Sequence, residues 1–264
     1  MKKIAALFAA LSVAGCITVA DAGALVDISV LDRSSGQQLE VYRHRGRLYV
    51  AGAPGNRYAV ILRNKSAGRL LTVLSVDGIN ALSGQTAATS QSGYVLSPAQ
   101  SAEISGWRKS MDEVAAFYFT SVADSYAGRT DRPQNVGVIG VAVYREAEPV
   151  AMPEVAMQPR ARGSLDAAEG ASSRAEAKAA APAQDAAVSK KAETRLGTGH
   201  GERISAPTQY TDFRRASDSP SEVVTLYYDS HANLLAQGII PRPRPQPNPA
   251  PNPFPAGFTP DPPR

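Results

Sequence analysis

Cysteine, histidine and tryptophan are scarce: the 264 residues hold one Cys, three His and one Trp. One Cys excludes a disulfide scaffold and a Cys-rich zinc module. The histidines, His44, His200 and His231, lie far apart, and none has a second His or Cys at ligand spacing, so neither a metal nor another cofactor is expected. No nucleophile elbow, P-loop or dinucleotide fingerprint occurs, and Gly52-Ala53-Pro54-Gly55 lacks the Lys-Ser/Thr and helix that a phosphate loop needs. Asp77-Gly78-Ile79-Asn80 falls short of a calcium loop and reads as a turn. Charge of one sign is also lacking. The net charge is +4, and residues 23–150 carry 13 Lys/Arg against 11 Asp/Glu, too even a balance for a nucleic-acid-binding face.

What is present is unevenly distributed. Lys2 and Lys3 precede an apolar run without charge from Ile4 to about Val19, followed by small residues, the pattern of an export signal over residues 1–22. Two cleavage modes compete. Ala20-Asp21-Ala22 before Gly23 is an A-x-A site that would release a soluble periplasmic or secreted protein. Val13-Ala14-Gly15-Cys16 resembles a lipobox, in which a lipidated Cys16 would tether the chain to the membrane. Residues 149–200, largely Ala and charged or small polar residues, lack apolar periodicity and read as a disordered linker. Of the 20 prolines, 11 lie in residues 241–264. Strict alternation from Pro241 to Pro255 predicts an extended polyproline rod, either a docking strip or a solvated tail without a partner.

Residues 23–148 carry a β signature: short runs rich in Val, Ile, Leu and Tyr, separated by Gly, Pro, Asn, Asp and Ser. Strands are expected over 25–31, 38–42, 47–51, 58–64, 70–76, 93–96, 102–107, 115–121 and 136–144. The turns have identifiable chemistry at Asp32-Arg33-Ser34-Ser35-Gly36, Pro54-Gly55 and Asp77-Gly78. Reversals about every ten residues predict one antiparallel β-sandwich or barrel-like domain. The strand at 136–144 is apolar on both faces and should be central, its glycines admitting a close neighbour. One helical turn is expected at 110–114, capped by Ser110 with Glu113, and an exposed loop at 83–92.

The succession Tyr58-Ala59-Val60-Ile61-Leu62-Arg63-Asn64, Ser75-Val76-Asp77-Gly78-Ile79-Asn80, Gly106-Trp107-Arg108, Ala116-Phe117-Tyr118-Phe119-Thr120 and Asn135 to Glu146 resembles an uncharacterised family of exported proteobacterial proteins. The resemblance spans about residues 25–146 and a block around Gly199-His200-Gly201-Glu202-Arg203. It implies export and one folded unit, and it carries over no catalytic residue.

Beyond the linker, a strand at 222–229 and a short helix at 230–237 stopped by Gly238 are too small for a core of their own. Residues 201–240 are therefore expected to dock on the β domain. Candidate contact residues are few. Arg43, Arg45 and Arg47 surround Gly46 at a hairpin tip and would attract phosphate, acidic glycan or lipid headgroups, unless the hairpin is simply solvated. Trp107 is either a binding-site aromatic or a core residue. The functional expectation is a non-enzymatic envelope binding or structural module whose partner is an envelope protein or cell-wall component. The alternative is a hydrolase with His44 or His200 as base beside a Ser and an Asp.

Overall fold

The computed structural model describes residues 23–148 and 195–242. The expected leader with Cys16, all but the last residues of the expected linker, and the tail beyond Arg242 lie outside the described residues.

The chain forms β1 (Val26–Asp32), β2 (Gln37–Gln38), β3 (Val41–His44), β4 (Arg47–Gly52), β5 (Tyr58–Asn64), β6 (Leu70–Val76), β7 (Ile79–Asn80), β8 (Tyr94–Leu96), β9 (Ser101–Ile104), β10 (Gly106–Arg108), β11 (Glu113–Ser121), β12 (Val138–Arg145), β13 (Leu196–Ser205) and β14 (Glu222–Ser230). Two short α-helices, α1 (Tyr126–Arg129) and α2 (His231–Ala236), and one 3-10 turn, Pro133–Asn135, complete the described elements. The strands form a four-stranded sheet β2-β1-β5-β9, a three-stranded sheet β10-β11-β13, and a seven-stranded sheet that runs β3-β4-β14-β12-β6-β7 with β8 also on β6. The architecture is mainly β, an open sandwich and not a closed barrel. Alternation explains the packing: Val26, Ile28 and Val30 of β1 face inward with Tyr58, Val60 and Leu62 of β5, against Ile139, Val141 and Val143 of β12 and Val224, Leu226 and Tyr228 of β14.

The turn chemistry acts as expected. Asp32 Oδ1 accepts the Ser34 and Ser35 amides at 2.8 and 3.1 Å, and Gly36 has φ +71°. Asp77 and Gly78 both adopt positive φ, +53° and +75°, in the tight reversal between β6 and β7. Ser110 does accept the Asp112 and Glu113 amides, but no helical turn follows. Lys109 and Ser110 donate to the Glu113 carbonyl, which closes a hairpin, and Glu113 already belongs to β11. The helix that forms instead, α1, is capped by the Ser125 side chain on the Gly128 amide.

Three expectations need correction. First, the structure resumes at Leu196, inside the expected linker. Three alternating glycines disguise β13, because larger groups pack on it: Ser125 and Val136 over Gly197, the Tyr118 ring over Gly199 and Ala116 over Gly201. Secondly, the C-terminal segment does more than dock. β14 lies inside the large sheet, antiparallel to β12 and parallel to β4, so the sheet is not purely antiparallel. Thirdly, β12 is central, but only one of the two glycines has a close neighbour: at Gly137, just before the strand at φ +92°, a Cβ would sit 3.2 Å from the Tyr228 carbonyl oxygen, whereas at Gly140 the nearest atom is Ser75 Cβ at 3.9 Å.

A tighter approach than at Gly137 occurs at Gly52. A Cβ there would sit 2.7–2.9 Å from three carbons of the Phe119 ring, which stacks on Tyr58 at 4.3 Å. Gly52→Ala is expected to cost about 1–3 kcal/mol by overpacking. A lower urea midpoint with unchanged slope would register it. A loss under about 0.5 kcal/mol would show that the ring yields freely.

Candidate functional site

The Arg-rich hairpin is built as its sequence suggests. β3 and β4 pair with His44 opposite Arg47, and Arg45 and Gly46 take φ of +49° and +75° at the tip. The other wall comes from the far end of the chain. Ser230 caps α2 through the Asn233 amide at 3.2 Å, and Gly238 at φ +71° ends it. Leu234, Ile239 and Ile240 then pack against Tyr42, Tyr49 and Ala51 on the outer face of β3 and β4.

Between hairpin and helix end lies a cleft of about 490 Å³ lined by His44, Arg45, Arg47, Tyr49, Gln237 and Ile239. The Arg47 guanidinium sits 5.4 Å over the Tyr227 ring, which lies 5.5 Å from Tyr49. The face of the Tyr227 ring attracts the cation. Among the described residues no carboxylate lines the cleft. Such an arrangement suits an anionic oxygen group against an aromatic floor.

The sequence grouped Arg43, Arg45 and Arg47, but the structure separates them. With a period of two, Arg43 shares the Val41 face of β3, while His44 lies on the other face and enters the cleft, as Arg43 does not. Trp107 is no contact residue. It is 2% exposed, and its indole N–H donates to the Gly199 carbonyl at 3.1 Å. Gln237 and Ile239 were missed because nothing local ties them to a hairpin nearly 200 residues earlier.

The histidines are not brought together. His44 lines this cleft, and His200 on β13 lines a second one with Tyr126, Arg129 and Thr130. His231 opens α2. Within the described residues no histidine side chain hydrogen-bonds a serine or a carboxylate, so the relay that the hydrolase alternative requires is not formed there. Among the described residues there is also no group of three or more His, Cys, Asp or Glu side chains placed to hold a metal ion, and no helix long and apolar enough to cross a membrane.

A polar centre hidden from sequence reasoning lies in the core. Asp77 Oδ1 accepts the Gly137 amide at 2.9 Å and the Tyr228 hydroxyl at 2.5 Å, and Oδ2 accepts the Thr198 amide at 2.7 Å. Thr198 Oγ1 is 2.7 Å from the Tyr228 hydroxyl and 2.5 Å from that of Tyr58. Burial pushes the Asp77 carboxyl up to about 6, against the opposing pull of the Tyr228, Thr198 and Gly137 donors. Burial likewise raises both tyrosines well above their ordinary range. Neither of these two clefts is lined by any of the four side chains, and the network ties the β6–β7 turn to β5, β13 and β14. No family model, curated protein or solved structure matches the chain.

Proposed function

We propose that this is an exported envelope protein whose β-sandwich is a non-enzymatic binding module, and that the cleft at the tip of β3 and β4 receives an anionic group of an envelope component. One observation carries the reading: His44, Arg45 and Arg47 converge on one cleft with Tyr49, and no carboxylate among the described residues shares it. Cations without a facing acid, beside an aromatic floor, favour phosphate or carboxylate oxygens over neutral or cationic ligands.

Export is supported by the leader sequence and by the first described residues. The Glu222 carboxylate accepts the amides of Ala24, Leu25 and Val26, while Lys65 Nζ donates to the Gly23 carbonyl at 2.6 Å. A cut before Gly23 would create an α-ammonium group beside that carboxylate. Mass spectrometry of the exported protein is expected to give Gly23 as its first residue. A lipidated Cys16 would overturn soluble release.

Ligand binding is tested by co-sedimentation with phosphatidylglycerol vesicles, phosphatidylcholine vesicles and isolated cell-wall sacculi. Binding to at least one anionic matrix is expected to fall more than about tenfold when Arg45 and Arg47 are both replaced by Glu, since each surface cation contributes about 1 kcal/mol at an anionic surface. Unchanged binding by the double variant, or equal recovery on phosphatidylcholine, would remove the cleft from the reading.

A further inference from the structure

The outer face of the seven-stranded sheet is covered at two corners and open between them. At one corner Leu234, Ile239 and Ile240 pack on Tyr42, Tyr49 and Ala51, and at the other Phe213 packs on Leu71, Val73, Ala142 and Tyr144. Between these covers lies a strip that belongs to neither: Val223, Thr225 and Tyr227 of β14, Val138 and Gly140 of β12, and Ser75 of β6. Val223 is 59% exposed, one of two large apolar side chains so placed among the described residues, and the other five are half-buried.

Strand register ties this strip to the hairpin cleft. The parallel pairing of Leu48 with Leu226 sets Arg47 level with Thr225, Thr225 pairs with Gly140, and Gly140 pairs with Ser75. Because the next residues, Leu48, Leu226, Ile139 and Val76, are in the core, these four positions face outward. The row crosses three strand spacings, roughly 14 Å. Its middle is a shallow floor, since a Cβ placed at Gly140 would find its nearest atom only at 3.9 Å. Tyr227, which carries the Arg47 guanidinium on its ring, flanks the floor with Val138 on one side. Val223, level with the Arg45–Gly46 tip, flanks it on the other. No side chain of the strip is charged, and His44, Arg45 and Arg47 stand at its β4 end. Both β14 and β12 are bonded to a strand on each side, so the strip has no backbone edge to offer an added peptide strand. What it presents is contact area along a line with positive charge at one end.

We infer that the hairpin cleft and this strip form one site for an anionic, lipid-like amphiphile, whose charged head meets Arg45 and Arg47 while one alkyl chain lies over Gly140 towards Ser75. This extends the anion cleft of the preceding reading, on which it rests, by the apolar half of the ligand. One chain is the complement of a floor one residue wide between Tyr227 and Val223. An anion without a chain would leave the strip uncovered, and a chain without charge would leave the arginines unanswered.

The test is a calorimetric titration of the mature full-length protein with dodecyl phosphate below its micelle concentration, butyl phosphate and dodecyl maltoside. Dodecyl phosphate is expected to bind at least about tenfold more tightly than butyl phosphate, for which burial of about two additional methylenes is enough. Dodecyl maltoside keeps the chain and loses the charge, and should bind at least about tenfold more weakly than dodecyl phosphate. Gly140→Gln, which fills the floor, and Val223→Gln, which makes its flank polar, should each lower dodecyl phosphate binding several-fold and leave butyl phosphate unchanged. Both positions face outward with room for a side chain, so the fold should be retained. Equal binding of the two phosphates, both abolished by Arg45→Glu with Arg47→Glu, would overturn the strip and leave the anion cleft standing. Failure of either phosphate to bind would overturn both. Maltoside binding as tight as that of dodecyl phosphate, or an undiminished chain preference in both Gln variants, would also remove the amphiphile site.

Discussion

A chain that ends at residue 194 should not fold. Without the C-terminal segment, β4 and β12 lose the strand between them and β11 loses β13. The segment also contributes Leu196, Val224, Leu226, Tyr228, Leu234, Ile239 and Ile240 to the buried apolar set. At about 1.5 kcal/mol or more for each buried side chain, these residues contribute about 10 kcal/mol. That is of the order of the whole stability of a domain. The amides of β4 and β12 left without partners add to the loss. The expected circular dichroism and proton NMR spectra are those of an unfolded chain. Supplying residues 195–242 as a separate chain should restore dispersed resonances, because each of these contacts depends on position and not on chain continuity. A truncated chain that still melted cooperatively would show that the sheet can close without β14.

Asp77→Ala is expected to cost on the order of 5 kcal/mol, because it leaves the Gly137 and Thr198 amides and the Tyr228 hydroxyl buried without their acceptor, at about 1–3 kcal/mol each. The loss is pH-dependent, with a definite sign. The carboxyl titrates at its ordinary value of 3.8 when unfolded and at about 6 when folded. The native state therefore holds the proton more tightly. The contribution of Asp77 is full below about pH 4, declines as pH rises towards 6, and is constant above. Roughly two pK units correspond to about 3 kcal/mol. Urea titrations at pH 4 and pH 7 should show the gap between wild type and variant narrowing by about that amount. Asp77→Asn tolerates the same positive φ and should narrow in the same direction from a smaller starting loss. A gap that stayed constant or widened with pH would mean that the three donors outweigh burial.

How far the sequence was legible follows from what each signal depends on. β5 and β6 form over the expected spans because Pro54-Gly55 and Asp77-Gly78 bracket dense apolar runs, so local chemistry decides both. β13 was hidden because its glycines answer to Tyr118, Val136 and Ser125, whose positions are tertiary facts. Asp77 reads as an exposed turn acid. It becomes buried because Thr198 and Tyr228, 121 and 151 residues later, close over it. The basic hairpin was visible in Arg43-His44-Arg45-Gly46-Arg47, but which side chains share a cleft depended on strand parity and on α2. The contact of Tyr126 with His200 had no sequence signal, since α1 was not expected and the two residues lie on elements joined only by packing.

The parallel pairing of β4 with β14 also sets a clock. Leu48 must wait for Leu226, on the order of 180 residues later, before its final neighbour exists. At synthesis rates of roughly 5–20 residues per second, that delay is on the order of ten seconds or more. Once residue 145 is made the nascent chain carries every described strand but β13 and β14, with β4, β12 and β11 each lacking a neighbour, a state that aggregates unless it is held or kept extended. Under the proposed export the same delay would be an advantage, because the described topology cannot close until β14 has been made.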